Sequence, residues 1–302
     1  MTRPLAGYPA LKPGDPVAVI APASGFDRPS FEAGLAVLAG RYQPRYGDGL
    51  FTRHRYLAGN DVRRREELLA ALADPQVKAV FCARGGYGAT RLLASLMRSD
   101  PPGAPKALVG FSDITALHLW LNAHGRISVH GPVITQLGRL PSQAHQRLFA
   151  LLESTVPAPT LEAQATYVPG VAEGRLIGGN LSVLSRLLGT PYMPQLEDTV
   201  LLLEDFGERP YRLDRMWTHL MLAGVFERVR GLALGTFTEC EEQHAPWSSA
   251  EVLRELAQAA GVPCAAGFPV GHGEDNQALP VGVRVRLDAG ARTLEFLEAA
   301  AT

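Results

Sequence analysis

The side chain best placed for chemistry in this sequence is the hydroxyl of Ser112. It follows the short apolar run Ala107–Val109, which has the length and composition of a buried strand, and it precedes the amphipathic run Ile114–Leu121. A serine on a tight strand-to-helix turn exposes its Oγ as a nucleophile, and the N–H of the next residue, Asp113, faces the same space as an oxyanion donor. The residues around Ser112 do not match the G-x-S-x-G motif, and Ser112 could instead cap the helix. Both interpretations stay open at this point.

Two further polar segments follow predicted strands in the same way. Arg84-Gly85-Gly86 comes after the apolar run Ala79–Ala83, and Glu204 comes after Thr199–Leu203. Ligands of open α/β sheets bind at the carboxyl ends of the strands, so these segments are candidates for one site. The glycines would let backbone N–H groups approach an oxyanion or a substrate carboxylate, although a plain turn would also use them. Neither a dinucleotide fingerprint nor a P-loop lysine accompanies them.

A serine nucleophile needs a histidine to accept its proton and a carboxylate to orient that histidine. His272 lies in a loop between patterned segments, and Ser112, Glu204 and His272 follow one another in the order serine, acid, histidine. A metal ligand set of His272, Glu274 and Asp275 is a weaker interpretation. The rivals that the sequence leaves open are His130 for the base, and Asp205 and Glu208, or a merely solvated turn, for the acid.

Composition excludes several classes of protein. The chain has 302 residues, 46% of them hydrophobic, and a formal net charge of -1 without a basic stripe, so nucleic acid is not an expected partner. Its apolar runs are shorter than a membrane span, and residues 1–4 lead towards the first strand without a secretion signal. Cys82, Cys240 and Cys264 show no metal or disulfide spacing. We therefore expect a cytoplasmic soluble protein without a metal or cofactor.

Continuous apolar strands alternate with amphipathic helices, which predicts an α/β fold with a parallel sheet. We expect an N-terminal domain at residues 1–150, a Pro- and Ala-rich linker at 151–175 and a smaller α/β domain at 176–302, with the site between the domains. The predicted strands, besides those named above, are Pro16–Ile20, Ile127–Val129, Gly231–Gly235, Val281–Leu287 and Thr293–Leu297. The predicted helices, besides Ile114–Leu121, cover 31–38, 61–72, 89–97, 143–152, 181–188, 213–223 and 248–259.

An ordered set of short motifs resembles the LD-carboxypeptidase family of serine peptidases, which includes muramoyl-tetrapeptide carboxypeptidases and microcin C immunity peptidases. The motifs are Tyr56–Gly59, Arg84–Gly88, Gly110–Thr115, His130–Pro132, Gly178–Leu181, Gly189–Tyr192, Leu203–Asp205, Tyr211–Arg215 and Gly271-His272. The resemblance covers nearly the whole chain. It implies a Rossmann-like parallel-sheet N-terminal domain joined to a smaller C-terminal α/β domain.

The resemblance also implies roles for particular residues. Ser112 would be the nucleophile, His272 the general base and Glu204 the acid that orients it. The N–H of Asp113, with one from the Gly85-Gly86 turn, would form the oxyanion hole. Apart from the resemblance, a carboxypeptidase needs a group that binds the terminal carboxylate of its substrate, and the candidate is the loop Arg84–Gly88, through its amides or through Arg84 itself, which could equally be structural. Family members are typically cytoplasmic homodimers that need no metal.

The expected activity is removal of a terminal D-alanine from murein tetrapeptides through an acyl-enzyme. The sequence does not indicate whether the third residue of the peptide is lysine or diaminopimelate. One alternative is a microcin C-type peptidase that hydrolyses an aminoacyl-nucleotide antibiotic, with Tyr167, Tyr192 or Trp247 stacking on the base. Another is a non-catalytic nucleotide- or sugar-binding protein. Substrate preference is expected in residues 140–175 and 241–248, which the resemblance determines least.

Overall fold

The computed structural model describes residues 5–302, and the expectation for residues 1–4 lies outside that range. The chain forms two compact units. The first contains the chain up to Val156 together with Gln277–Gly282 and Ala299–Thr302, and the second contains Pro157–Asn276 and Val283–Glu298. None of the helices within residues 5–302 has the length and apolar character to cross a membrane.

The first unit is built on a six-stranded sheet with the order β12-β5-β4-β3-β1-β2. Its strands are β1 Pro16–Ile20, β2 Gln43–Arg45, β3 Ala79–Cys82, β4 Ala107–Gly110, β5 Ser128–His130 and β12 Leu279–Val281. All neighbours are parallel except β12, which runs antiparallel to β5. Every residue of β3 and β4 is buried, as continuous apolar strands in the middle of a parallel sheet should be.

Among residues 5–302, six α-helices and three single 3₁₀ turns surround this sheet. The helices are α1 Arg28–Ala39, α2 Asp61–Ala73, α3 Leu93–Leu96, α4 Thr115–Ala123, α5 Ile134–Leu137 and α6 Ser142–Glu153; the 3₁₀ turns are Asp48–Phe51, Ala89–Leu92 and Ser112–Ile114. Helix α2 begins where the sequence predicts, because the Asn60 side chain accepts a hydrogen bond from the N–H of Arg63 at 2.8 Å. The predicted helix 89–97 is instead a 3₁₀ turn followed by the short α3.

The second unit holds an eight-stranded mixed sheet with the order β6-β14-β13-β8-β9-β10-β11-β7. Its strands are β6 Leu161–Glu162, β7 Ala165–Val168, β8 Val171–Asn180, β9 Thr199–Phe206, β10 Gly231–Thr238, β11 Cys264–Ala266, β13 Arg284–Asp288 and β14 Thr293–Phe296. Its helices are α7 Leu181–Ser185, α8 Pro210–Leu222 and α9 Ser249–Ala260. The four strands from β8 to β11 are parallel, so their carboxyl ends share one edge.

Residues 151–175, for which the sequence predicts a linker, contain regular structure. They hold the end of α6, the strands β6 and β7 and the start of β8. β6 and β7 are the two edge strands of the eight-stranded sheet and have only two and four residues. Edge strands this short carry too little alternation to be recognised from hydrophobic periodicity.

At Gly178 the backbone of β8 lies very close to the backbone of β9. The φ of Gly178 is +124°, and a Cβ there would lie 2.2 Å from the carbonyl oxygen of Leu202 on β9. Gly189 also has positive φ, +74°, but a Cβ there would meet open space.

We expect Gly189→Ala to lower the free energy of unfolding by about 1 kcal/mol. Gly178→Ala should lower it by roughly 1–3 kcal/mol more, because the backbones must separate. Urea denaturation measures both, and equal losses would contradict the close approach.

Candidate active site

Ser112 has the backbone conformation of an exposed nucleophile turn. Its φ is +64°, in the left-handed region that non-glycine residues avoid. The extended residue Phe111, not Ser112, precedes the 3₁₀ turn as its N-cap, so Ser112 lies inside the turn. A strained serine directly after a buried parallel strand is the arrangement found where Oγ must stand clear of the sheet.

Gly85 makes room for this serine. A Cβ at Gly85 would lie 2.9 Å from Ser112 Cβ and 3.2 Å from its Oγ. Strands β3 and β4 are parallel neighbours, so the segments that leave their carboxyl ends meet at one edge of the sheet. Only glycine allows the Gly85 backbone to lie this close to the Ser112 side chain.

The side chain of Asp113 holds the same loop through a hydrogen bond. Its Oδ2 accepts a hydrogen bond from the N–H of Ala89 at 2.7 Å, and the residue is 3% exposed. Burial raises the pKa of the Asp113 carboxyl to about 6, against the opposing effect of the Ala89 and Gly88 amides and of Arg64. The sequence predicts a role for the N–H of Asp113, whereas this contact of its carboxylate follows only from the tertiary structure.

The rest of the glycine loop is held by Ser24. The Ser24 hydroxyl accepts from the N–H of Tyr87 at 2.9 Å and lies 3.2 Å from the Tyr87 carbonyl oxygen. Gly86 has a φ of +92°, and a Cβ there would come within 2.5 Å of Ser24 Oγ. Arg84 is exposed, and its guanidinium donates to the carbonyl oxygen of Gly25 at 2.8 Å. The loop therefore has one fixed conformation.

In the second unit, His272 and Glu204 form a direct pair. His272 Nδ1 lies 2.6 Å from Glu204 Oε2, so Nδ1–H donates to the carboxylate and Nε2 is left as the proton acceptor. The Glu204 side chain is completely buried, whereas the His272 side chain is 18% exposed. The imidazole also stacks on Phe206, with ring centroids 5.2 Å apart. This is the histidine–carboxylate geometry of a general base.

Glu204 lies within β9 rather than after the strand, which corrects the predicted boundary at Leu203. The ladder continues because Glu204 is in register with Asn180 on β8. The Asn180 amide donates to Glu204 Oε1 at 3.3 Å and to Asp205 Oδ1 at 3.0 Å. Asn180 thus orients both neighbouring carboxylates, a role that its place in the Gly178–Leu181 motif does not reveal.

The loop that carries His272 is held on both sides. The N–H of Gly271 donates to Asn276 Oδ1 at 2.9 Å, and the N–H of Gly273 donates to Thr236 Oγ1 at 3.1 Å. Gly271 has a φ of +115°, and a Cβ there would lie 2.5 Å from Glu204 Oε2. The glycine before the histidine therefore lets the loop pass directly over the buried carboxylate.

The rival acid and base residues occupy different environments. His130 is fully buried in β5, with its ring 5.9 Å from that of Phe111 and 6.2 Å from that of His118. Asp205 is also buried and accepts from the N–H groups of Ser182 and Phe206 at 2.8 Å each. Burial and the charge of Glu204 raise the pKa of the Asp205 carboxyl to about 6. Among the residues that the structure describes, no cluster is placed to hold a metal ion, including the region of Glu274 and Asp275.

Two family models cover most of the chain. The LD-carboxypeptidase N-terminal domain matches residues 17–131, and the LD-carboxypeptidase C-terminal domain matches residues 173–287. The chain belongs to the LD-carboxypeptidase family. The predictions of this family and of a serine carboxypeptidase are confirmed.

Relatives and solved structures agree with this assignment. A putative carboxypeptidase of Synechocystis sp. is 40% identical over 95% of this chain and 96% of its own. The murein tetrapeptide carboxypeptidase of Pseudomonas aeruginosa is 36% identical over 88% of this chain and 91% of its own. The crystal structure of muramoyltetrapeptide carboxypeptidase from Oxalobacter formigenes has a TM-score of 0.82 at 31% identity and covers 93% of this chain and 97% of its own.

The microcin C7 self-immunity protein MccF has a TM-score of 0.86 at 21% identity, covering 98% of this chain and 99% of its own. At this identity the similarity concerns the fold alone. Together these neighbours confirm the expected two-domain α/β fold. Of the residues expected to act, this LD-carboxypeptidase brings His272 and Glu204 together in its second unit, and Ser112, Asp113 and Gly85 together in its first.

The buried Asp113 predicts a pH-dependent stability. Its carboxyl has a pKa of about 6 when folded, above the ordinary value of 3.8 that applies when unfolded. Between these values the folded state binds more protons, so stability falls as pH rises through this window. We expect the difference in free energy of unfolding, wild type minus Asp113→Asn, to decrease by roughly 2–3 kcal/mol from pH 4 to pH 7.

Urea denaturation across this pH range measures the difference. The exposed Asp100→Asn variant is the control and should keep a profile parallel to that of the wild type. A parallel profile for Asp113→Asn as well would mean that the carboxyl is not perturbed by burial.

Proposed function

We propose that this protein is a serine LD-carboxypeptidase that removes the terminal D-alanine from murein tetrapeptides. The strained turn at Ser112, packed against Gly85, carries the assignment of the nucleophile. The substrate is supported by the names of relatives that match this chain over most of its length, the murein tetrapeptide carboxypeptidase of Pseudomonas aeruginosa among them.

In the proposed mechanism, Ser112 Oγ attacks the carbonyl carbon that precedes the terminal D-alanine. His272 Nε2 accepts the hydroxyl proton and then donates it to the departing amine, giving an acyl-enzyme. Water activated by the same histidine hydrolyses the ester. Glu204 keeps the proton on Nδ1 and stabilises the imidazolium that forms in each step, which its 2.6 Å contact with Nδ1 supports.

The tetrahedral intermediates need donors for the oxyanion. We assign this role to the N–H groups of Asp113 and of the Gly85-Gly86 turn. Within residues 5–302, the N–H of Gly86 donates to no backbone or side-chain acceptor. Donors held in place by the surrounding loop stabilise a developing charge without reorganisation.

A carboxypeptidase also has to recognise the free carboxylate of the last residue. We assign this to the loop from Arg84 to Gly88, through its amides or through the Arg84 guanidinium. Arg84 uses one N–H on the carbonyl of Gly25, and its remaining donors are exposed. The fixed loop conformation supports the assignment, because a preformed site loses little entropy on binding.

We further propose that the enzyme is a cytoplasmic homodimer, as the resemblance to its family implies. Sedimentation equilibrium of the purified protein and fractionation of cells that produce it test the two statements separately.

The first experiment is mass spectrometry of a murein tetrapeptide ending in D-alanine after incubation with wild type or Ser112→Ala. We expect loss of one alanine with the wild type. With the variant the rate should be lower by about 10⁴-fold at least, because the nucleophile is missing. The circular dichroism spectrum should be unchanged. If the variant retained substantial activity, Ser112 would not be the nucleophile. If well-folded wild type were inactive, an aminoacyl-nucleotide antibiotic would be the next substrate to test.

The choice of base is tested by comparing two histidines. His272→Ala should lower kcat by several orders of magnitude with little change in KM, since the proton acceptor is lost. His130→Ala should affect mainly the thermal midpoint, because the ring is buried among apolar and aromatic side chains. Kinetics at matched folded fractions separate the two effects. A larger loss of kcat for His130→Ala would reverse the assignment.

A further inference from the structure

The second unit contains a cavity that the proposed mechanism does not use. It has a volume of about 370 Å³ and lies at the carboxyl ends of β10 and β11, between the edge strand β7 and the first turns of α9. This volume falls within the range of small-molecule sites, about 300–1,000 Å³. Its polar lining includes Gln164, Tyr167, Thr236, Glu241 and Arg254. All of these belong to one compact unit.

The cavity carries one positive and one negative side chain, neither of which is neutralised. The Arg254 guanidinium lies over the Tyr167 ring, 4.9 Å from its centroid, and this cation–π contact favours that position. Glu241 accepts hydrogen bonds from the N–H and the hydroxyl of Ser249, at 2.8 and 2.7 Å, one on each oxygen. Within residues 5–302, neither Arg254 nor Glu241 forms an ion pair.

Both charges keep capacity for a ligand. A carboxylate oxygen that accepts one hydrogen bond retains a second lone pair, and a guanidinium has five donors. Two acids lie close to Arg254 in sequence, Glu251 and Glu255, and Glu251 is engaged in capping α9 through the N–H and hydroxyl of Ser248. A ligand with a carboxylate and an ammonium at one end would therefore match the cavity in both signs of charge.

The cavity adjoins the catalytic histidine through Thr236. This residue lines the cavity, and its Oγ1 also accepts the N–H of Gly273, the residue after His272. The neighbouring lining residue Gly235 lies against Glu204, since a Cβ there would be 3.1 Å from Glu204 Cβ. A group bound in the cavity would lie beside the loop that holds the base.

In an LD-carboxypeptidase, the residue that acylates the serine is the third residue of the tetrapeptide. Its side chain starts at the carbon next to the reacting carbonyl and must be accommodated close to the catalytic histidine. Lysine ends in an ammonium alone, whereas diaminopimelate ends in an amino-acid head that carries an ammonium and a carboxylate. The two side chains therefore differ in the one group that Arg254 would bind.

We propose that the cavity binds the side chain of this third residue and selects diaminopimelate over lysine, with Arg254 pairing the distal carboxylate and Glu241 the distal ammonium. The inference rests on the proposed function and adds the identity of the substrate residue. Lysine would leave the Arg254 guanidinium without a partner in the complex, so the bound lysine peptide would form one charged hydrogen-bonded pair fewer than the diaminopimelate peptide. Tyr167 acts as a positioning residue for Arg254.

The test compares kcat/KM for three tetrapeptides ending in D-alanine. They carry at the third position diaminopimelate, diaminopimelate with its side-chain carboxyl amidated, or lysine. For the wild type we expect the first to exceed both others by roughly tenfold or more, the effect of one charged hydrogen-bonding group. In Arg254→Ala this ratio should fall towards one. Glu241→Gln should lower kcat/KM for the diaminopimelate and lysine peptides alike, because both carry the ammonium.

Arg286→Ala is the matched control, because Arg286 is an exposed arginine of the same unit outside the cavity lining. It should preserve the wild-type ratio. Equal kcat/KM for the three peptides in the wild type, or an unchanged ratio in Arg254→Ala, would overturn the inference while leaving the carboxypeptidase function intact. Loss of alanine from none of the peptides would instead reject the proposed function.

Discussion

The hydrogen bond between Glu204 and His272 is the interaction on which the second unit depends. A carboxylate without solvent exposure is costly unless its oxygens are paired, and here one oxygen meets the imidazole and the other the Asn180 amide. The surrounding backbone is adapted to this group. Glycines at 235 and 271 bring two segments within reach of the Glu204 side chain, where any Cβ would be in close contact with it.

In the first unit, the group that its neighbours must stabilise is a strained backbone rather than a buried charge. Ser112 stands in a left-handed conformation that costs on the order of 1 kcal/mol or more, and its neighbours must hold it there. The loop at Gly85 packs against the serine, and the buried Asp113 carboxylate binds the amide at the far end of that loop. The carboxyl that holds this loop is itself buried, and its burial raises the pKa of Asp113.

The framework of the fold and the lining of the proposed side-chain cavity come from different parts of the chain. MccF shares the fold at 21% identity, so the framework accommodates very different sequences. The cavity beside His272 draws its charged and aromatic side chains from Tyr167, Glu241 and Arg254, on an edge strand, a connecting loop and the surface of a helix. Such positions can change without disturbing the central strands, because few core contacts depend on them.

Local patterns in the sequence were enough to predict several elements. The apolar runs at β1, β3 and β4, the Asn60 cap of α2 and the turn around Ser112 each depend on residues close together in the chain, and each lies where the pattern indicates. The motifs spread along the chain identified the family, because their types and order together are specific even though each one is short.

Features that depend on contacts between residues far apart in the sequence could be identified only from the tertiary structure. Glu204 and His272 are 68 positions apart, and local reasoning left Asp205 and Glu208 as rivals for the acid and His130 as a rival for the base. Likewise, β6 and β7 are strands only because a sheet edge is available to pair with them, and β9 continues through Glu204 because Asn180 lies opposite. Short-range periodicity reports the burial of a segment, whereas the identity of a buried polar partner is set by chain packing, which the sequence encodes only through the whole fold.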